Sequence, residues 1–288
     1  MIIVGERINS TRKQIGPALA ARDEMVLLRE AKAQWAAGSH YLDVNTATML
    51  EAEPECMAWM VRLVQEAIPS ALVSIDSPNP RALEAGLGAH RGQAMLNSIT
   101  GETKRIEEVL PLIREHRPRV VALTMDDDGL HRDAQKRFEI GARLIELVTG
   151  VGTAPADVFV DPLIFPVSAE EDAGTIALDI MDRLKAAYPG VHTICGVSNV
   201  SFGLPVRKQL NRVYMLLAMA RGLDAVIVDP LDSWMMVNIV TARMLLGQDP
   251  GCREYLTMYR QGRLNLDGPI AAAADARAAP PSRQGISV

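Results

Sequence analysis

The sequence predicts a single-domain (β/α)8 TIM barrel, and three observations lead there. Short apolar runs alternate with longer stretches of helical spacing, eight times over. Nearly every short run ends in a polar residue. The length, 288 residues, suits one α/β barrel. Such alternation buries both faces of a parallel sheet and favours right-handed crossovers. A doubly wound sheet is the alternative. It usually needs fewer strands, and no GxGxxG follows any predicted strand to support it.

The elements follow in order. Residues 1–4 form a short apolar strand leading into Gly5-Glu6-Arg7. Residues 17–37 have helical spacing and stop at Gly38. The remaining strands are predicted over 40–45, 71–76, 93–97, 119–124, 157–161, 192–199 and 224–229. Helices are predicted between and after them, over 54–67, 80–87, 103–116, 133–148, 169–188, 205–221 and 235–246. Pro54 and Pro80 fall at the first turn of their helices, where proline lacks only an N–H that would go unpaired. The barrel domain is placed over residues 1–261. Residues 262–288, rich in Ala, Pro, Gly and Arg without apolar period, are expected to be a disordered tail.

Composition excludes several classes. Lys plus Arg number 30 against 35 Asp plus Glu, a net charge of −5 that suits no nucleic-acid backbone binder. Aromatics at 4% are too few for base-stacking platforms. No run of about 18 apolar residues offers a membrane span. Cys56, Cys195 and Cys252 are odd in number and widely spaced, so neither a disulfide framework nor a zinc site is expected. Cys195 reads as a small buried apolar residue. No leader pattern is visible at the N-terminus, and a cytoplasmic location is expected.

The strand ends carry most of the information. They supply Glu6, Arg7 and Asn9, then Asp43 and Asn45, Asp76, Asn97, Thr124 and Asp126, Asp161, Ser198 and Asn199, and Asp229. In such a barrel these positions converge on one mouth, where active sites lie. Any single Asp or Asn there is equally well a helix cap. A mouth lined by carboxylates and amides suits a flat, amidine-like heterocycle, whose parallel N–H groups a carboxylate accepts. Asp76 and Asp161 fit that role, and Asn97 and Asn199 suit a ring of mixed edges. A bound metal is the competing use of clustered acids. None is expected, because the acids lie on separate strands and no histidine joins them. The five histidines read as surface residues, with no histidine–acid pair at a strand end.

An ordered set of motifs carries a resemblance. GERIN (5–9), LDVN (42–45), SIDS (74–77), MLNS (95–98), LTMD (123–126), DPLIFP (161–166), GVSNVSFGLPVRKQLNR (196–212) and GLDAVIVDP (222–230) appear in turn. Together they resemble the pterin-binding methyltransferases that act on methyltetrahydrofolate and a corrinoid protein. The chain is similar both to the stand-alone enzymes of acetogenic and demethylating systems and to the folate module of cobalamin-dependent methionine synthase.

The resemblance implies a methyl transfer between N5 of tetrahydrofolate and the cobalt of a corrinoid, or cobalamin, on a separate protein that docks transiently. Asn199 is then the catalytic residue beside N5, acting only as a hydrogen-bond partner because an amide does not ionise. Asp76, Asn97 and Asp161 hold the pterin edge. Glu6 and Asp43 join the pocket, and Gly196 and Ser198 form its wall. Phe202 stands where acetogen-type members carry Gln, so it either packs on a ring or covers the rim. Arg207 pairs with the folate glutamate tail or serves as ordinary helix-surface charge. No D-x-H triplet is present to supply a corrinoid ligand, which places the corrinoid on the partner. A homodimer is common in the family. Dihydropteroate synthase, a metal-dependent lyase or hydrolase and a non-catalytic pterin-binding barrel are the alternatives.

Overall fold

The computed structural model describes residues 1–264, so most of the expected tail lies outside the described residues. The chain runs β1 (Ile2–Asn9), α1 (Ile15–Ala20), α2 (Glu24–Ala36), β2 (Tyr41–Asn45), α3 (Glu53–Ala67), β3 (Leu72–Asp76), α4 (Pro80–Ala89) and β4 (Met95–Thr100). It continues with α5 (Thr103–His116), β5 (Arg119–Leu123), α6 (Ala134–Gly150), β6 (Val158–Asp161), α7 (Ala173–Ala187) and β7 (His192–Gly196). The last elements are α8 (Arg207–Ala220), β8 (Ala225–Val228), α9 (Ser233–Leu245) and α10 (Arg253–Arg260). The strands pair in sequence order into a closed barrel, sealed by parallel pairing of β8 with β1 from Ile2↔Ala225 to Gly5↔Val228. This is the predicted architecture.

The two-residue period of a strand explains where the site sits. Val4, Tyr41, Met95, Val121, Phe159, Ile194 and Ala225 form one buried cluster inside the barrel. Two residues further along the same strands come Glu6, Asp43, Asn97, Leu123, Asp161, Gly196 and Ile227. One layer of the interior is therefore an apolar plug and the next is mostly polar. Outside the strands, a second apolar layer packs against the helices, with Ile75, Met57 and Leu83 all buried.

Three departures from the predicted elements matter. The helix expected over 17–37 is two helices, because Arg22 adopts φ +53 and Asp23 then caps α2 by accepting the Val26 N–H at 3.2 Å. The strand expected over 192–199 stops at Gly196, and Val197–Ser201 forms a 3-10 turn. The first strand runs to Asn9 rather than Val4. Polar Glu6 and Arg7 concealed its length from an apolar pattern.

Close packing ties the outer shell to the site. A Cβ on Gly86 of α4 would meet Ile75 Cγ2 at 2.7 Å and Met57 Cγ at 2.9 Å. Ile75 is a β-branched strand residue next to Asp76 and has little room to yield. Gly86→Val is expected to lower stability by about 1–3 kcal/mol through overpacking, read as a shift of the urea midpoint. An unchanged midpoint would contradict this close approach.

Candidate active site

A cavity of about 480 Å³ opens at the C-terminal ends of the strands. Glu6, Asp43, Asp76, Asn97, Asp161, Gly196, Ser198, Asn199 and Arg207 all line it, so nearly the whole expected set converges. Asn9, Thr11, Arg12 and Ile227 line it too. Thr11 and Arg12 were not foreseen. They lie in the loop after β1, beyond the strand end.

The floor is a small hydrogen-bond network. Asp43 Oδ1 accepts from the Ser74 hydroxyl at 2.6 Å and from Asn97 Nδ2 at 3.3 Å. The Asn97 amide is thereby oriented with its donor inward, leaving its oxygen to accept from the cavity. Asp76 Oδ2 accepts from Asn45 Nδ2 at 2.9 Å, and Asp161 Oδ1 accepts the Leu163 N–H at 2.7 Å. Each acid keeps a second oxygen for a ligand. The loops are held from beneath by two buried arginines. Arg105 donates to the carbonyls of Ser98, Pro78 and Ser77. Arg137 donates to the carbonyl of Leu163 and raises the positive potential near Asp161.

Burial dominates the electrostatics. It pushes the Asp161 and Glu6 carboxyls up to about 7 and Asp76 up to about 6. Burial and the neighbouring Asp76 hold Asp43 well above the usual carboxylate range. Taking a carboxylate out of water disfavours its charge, and the buried arginines offset only part of that. The cavity therefore presents hydrogen-bond acceptors whose charge is stabilised when N–H donors arrive.

Asn199 occupies a different kind of position. The 3-10 turn after β7 folds its side chain back over the strand end. Its Nδ2 lies 3.5 Å from where a Cβ on Gly196 would sit. Among the described residues its amide has no hydrogen-bond partner, so both its donor and its acceptor face the cavity unclaimed. Arg207 donates to the Ser198 carbonyl at 2.7 Å and to Ser201 Oγ at 3.1 Å, and its guanidinium lies 5.6 Å from the Phe202 ring centroid. Arg207 thus braces the turn that carries Asn199. Phe202, 64% exposed, stands outside the polar cavity. It lines a separate apolar cleft with Leu163, Phe165 and Asn199.

Two other strand ends do not join. Asp229 accepts from Arg7 at 2.8 Å, and Arg7 also binds Glu30. Asp126 pairs with His131 Nε2 at 2.7 Å in the loop after β5. This corrects the expectation that no histidine–acid pair stands at a strand end. The backbone turn from Asp126 to Gly129 brings the two together. Asp126, Asp128 and His131 also place their ligand atoms within 4.8 Å of one another, away from the polar cavity. His40 and His90 are less free than a surface reading implies. Their ring nitrogens accept the N–H groups of Ile3 and Val73, both at 3.1 Å.

The family described as pterin binding enzyme matches residues 5–229, a span holding every cavity residue. The methylcorrinoid:tetrahydrofolate methyltransferase of Eubacterium limosum is 34% identical over 274 residues, covering 94% of this chain and 100% of that protein. Methionine synthase of Mycobacterium tuberculosis is 33% identical over 243 residues, covering 79% of this chain but only 20% of that protein. Among solved structures, dihydropteroate synthase of Xanthomonas albilineans superposes with a TM-score of 0.66 at 19% identity, over 85% of this chain and 93% of that one. DHPS of Yersinia pestis gives 0.62 at 15% identity, over 83% and 93%. These two share the fold. The profile match and the full-length relative carry more, and on them the chain belongs to the pterin-binding enzyme family.

Proposed function

We propose that this chain is a methyltransferase that moves a methyl group between N5 of tetrahydrofolate and the cobalt of a corrinoid on a separate protein. The observation that carries this reading is the cavity's set of acceptors, half-buried Asp76 with buried Asn97 and Asp161, beside the unclaimed amide of Asn199. A reduced pterin offers N–H donors along its pyrimidine edge and a reacting nitrogen on the adjoining ring. The edge meets the acceptors, and N5 meets Asn199. The full-length relative is named a methylcorrinoid:tetrahydrofolate methyltransferase, which supports a corrinoid and a folate as the two methyl carriers; transfer toward the folate, as in demethylation, is part of the proposal.

The chemistry sets what Asn199 must do. Methylation of N5 forms an N–C bond while the electron pair of the carbon–cobalt bond stays with cobalt. The nitrogen becomes an ammonium and then loses its proton to water in the mouth. The Asn199 carbonyl accepts the N5 hydrogen, directs the lone pair outward and stabilises the positive nitrogen as charge develops. In reverse, the same contact eases departure of the amine. The corrinoid protein approaches over the open mouth, where the exposed Phe202 and Val206 offer apolar surface. A contact that must form and release each cycle is transient.

A cytoplasmic setting suits the three free cysteines, and no described helix is long and apolar enough to cross a membrane. A homodimer suits α8, where Leu210, Val213 and Leu217 recur at helical spacing and remain exposed. Sedimentation of the native chain is expected to give a dimer and Leu217→Glu a monomer. A native monomer would contradict it.

The catalytic assignment is tested by Asn199→Ala. Methyl transfer is expected to fall by about 10²–10³-fold, the cost of one preorganised hydrogen-bond partner, with folate affinity changed less than roughly tenfold. Equal losses in both would make Asn199 a binding residue only.

The binding assignment has a pH signature. N–H donors bind the ionised Asp161, whose free carboxyl sits at about 7. Folate affinity is therefore expected to rise as pH climbs from 5.5 through 7 and to level off near 8, by up to about tenfold per unit below the pKa. Asp161→Asn should weaken binding and flatten that rise above pH 6. An affinity indifferent to pH in the native protein would remove Asp161 from the site.

A further inference from the structure

At the end of the barrel opposite the polar cavity lies a second hollow, of about 470 Å³. Strand β1 spans the two, giving Ile3 to this hollow and Glu6 to the mouth. The loop before β2 and helices α9 and α10 supply the other walls. The volume falls within the range of small-molecule sites.

The lining divides into two kinds. Ile3, Met236, Ile239, Val240 and Met258 are buried and make an apolar floor. Arg243, Arg253, Arg263 and His40 also line the hollow, against the single carboxylate of Glu254. Glu254 is committed to Arg243, and among the described residues neither Arg253 nor Arg263 has an ion pair. Arg243 Nε is buried with no hydrogen-bond partner among the described residues. His40 Nδ1 accepts the Ile3 N–H at 3.1 Å, so its neutral ring carries the proton on Nε2 as a donor.

We infer that this hollow binds a small amphipathic carboxylate, its apolar chain or ring laid on the floor and its carboxyl group paired by Arg253 and Arg263. An inorganic anion would use the cations and leave the floor wet. A neutral apolar molecule would cover the floor and leave the cations unpaired. A ligand with both halves uses both, and the guanidinium fork matches a carboxylate in two parallel hydrogen bonds. The mouth offers the reverse chemistry, since acids dominate its lining. The two ends of the barrel therefore select ligands of opposite character, and this site is independent of what the mouth binds.

Calorimetric titration of the full chain with octanoate, octanol and acetate tests this. Octanoate is expected to bind at one site with a dissociation constant below about 1 mM. Octanol, without the charge, and acetate, without the chain, should each bind at least about tenfold more weakly. Salt at about 0.5 M should weaken octanoate and leave octanol unchanged. Arg253 and Arg263 are exposed, so the double variant Arg253→Gln, Arg263→Gln should keep the native melting temperature. It should also lower octanoate affinity to that of octanol. Arg207→Gln, which removes a cation at the mouth, should leave octanoate binding intact. No octanoate binding, equal affinity for octanoate and octanol, or an octanoate affinity that survives the double variant would each overturn the inference. Loss of octanoate binding in Arg207→Gln would place the anion at the mouth and overturn it as well.

Discussion

The site depends on one constraint: the upper interior layer of a closed barrel holds carboxyl groups with too little positive charge beside them. Strand periodicity puts them there, since a side chain two residues beyond an apolar plug must also face inward. Arg105, near Asp76, spends its donors on backbone carbonyls, and Arg137, near Asp161, gives one to the Leu163 carbonyl. Asp43, Asp76, Asp161 and Glu6 consequently hold protons at a pH where free carboxyls have lost them. Native protein keeps those protons while unfolded chain releases them, so this layer's contribution to stability is present below about pH 4 and is lost as pH rises through 7. Near neutral pH these buried acids work against the fold, and a ligand that donates hydrogen bonds relieves them.

Binding and chemistry are divided between two kinds of backbone. The acceptors sit on or at the ends of strands whose register is locked by neighbours on both sides. Asn199 sits on a 3-10 turn, braced by Arg207 through the Ser198 carbonyl. Rigid strands suit a ring that must be held in one orientation. The turn lifts an amide to the rim, where a second macromolecule must reach the same nitrogen. Phe202, three residues further on and exposed, belongs to that outer surface.

Much of this was legible beforehand because the same rule, polar residues at strand ends, generates both the fold and the site. Asp76, Asn97 and Asp161 were found by position alone, and the structure brings them into one cavity. Asn199 was found at a strand end that proved to be a turn, since apolar patterning does not register where pairing stops. Asp229 followed the same rule and went elsewhere, because Arg7, 222 residues earlier, claims it. No local pattern reports such a partner. The Asp126–His131 pair was missed for a similar reason, its members being joined by a loop whose turn is set by Gly129 at φ +89. Arg12 carried no signal beyond a charge in a loop, and only the closed mouth shows that it borders the cavity.

The central claim is that this acid-lined layer grips a reduced pterin and delivers its N5 to Asn199. A crystal structure of the chain with methyltetrahydrofolate tests that directly. The expected density places the pyrimidine edge against Asp76, Asn97 and Asp161 and brings N5 within about 3.2 Å of the Asn199 amide. A pterin bound in another hollow, or one in this cavity with N5 turned away from Asn199, would contradict the account.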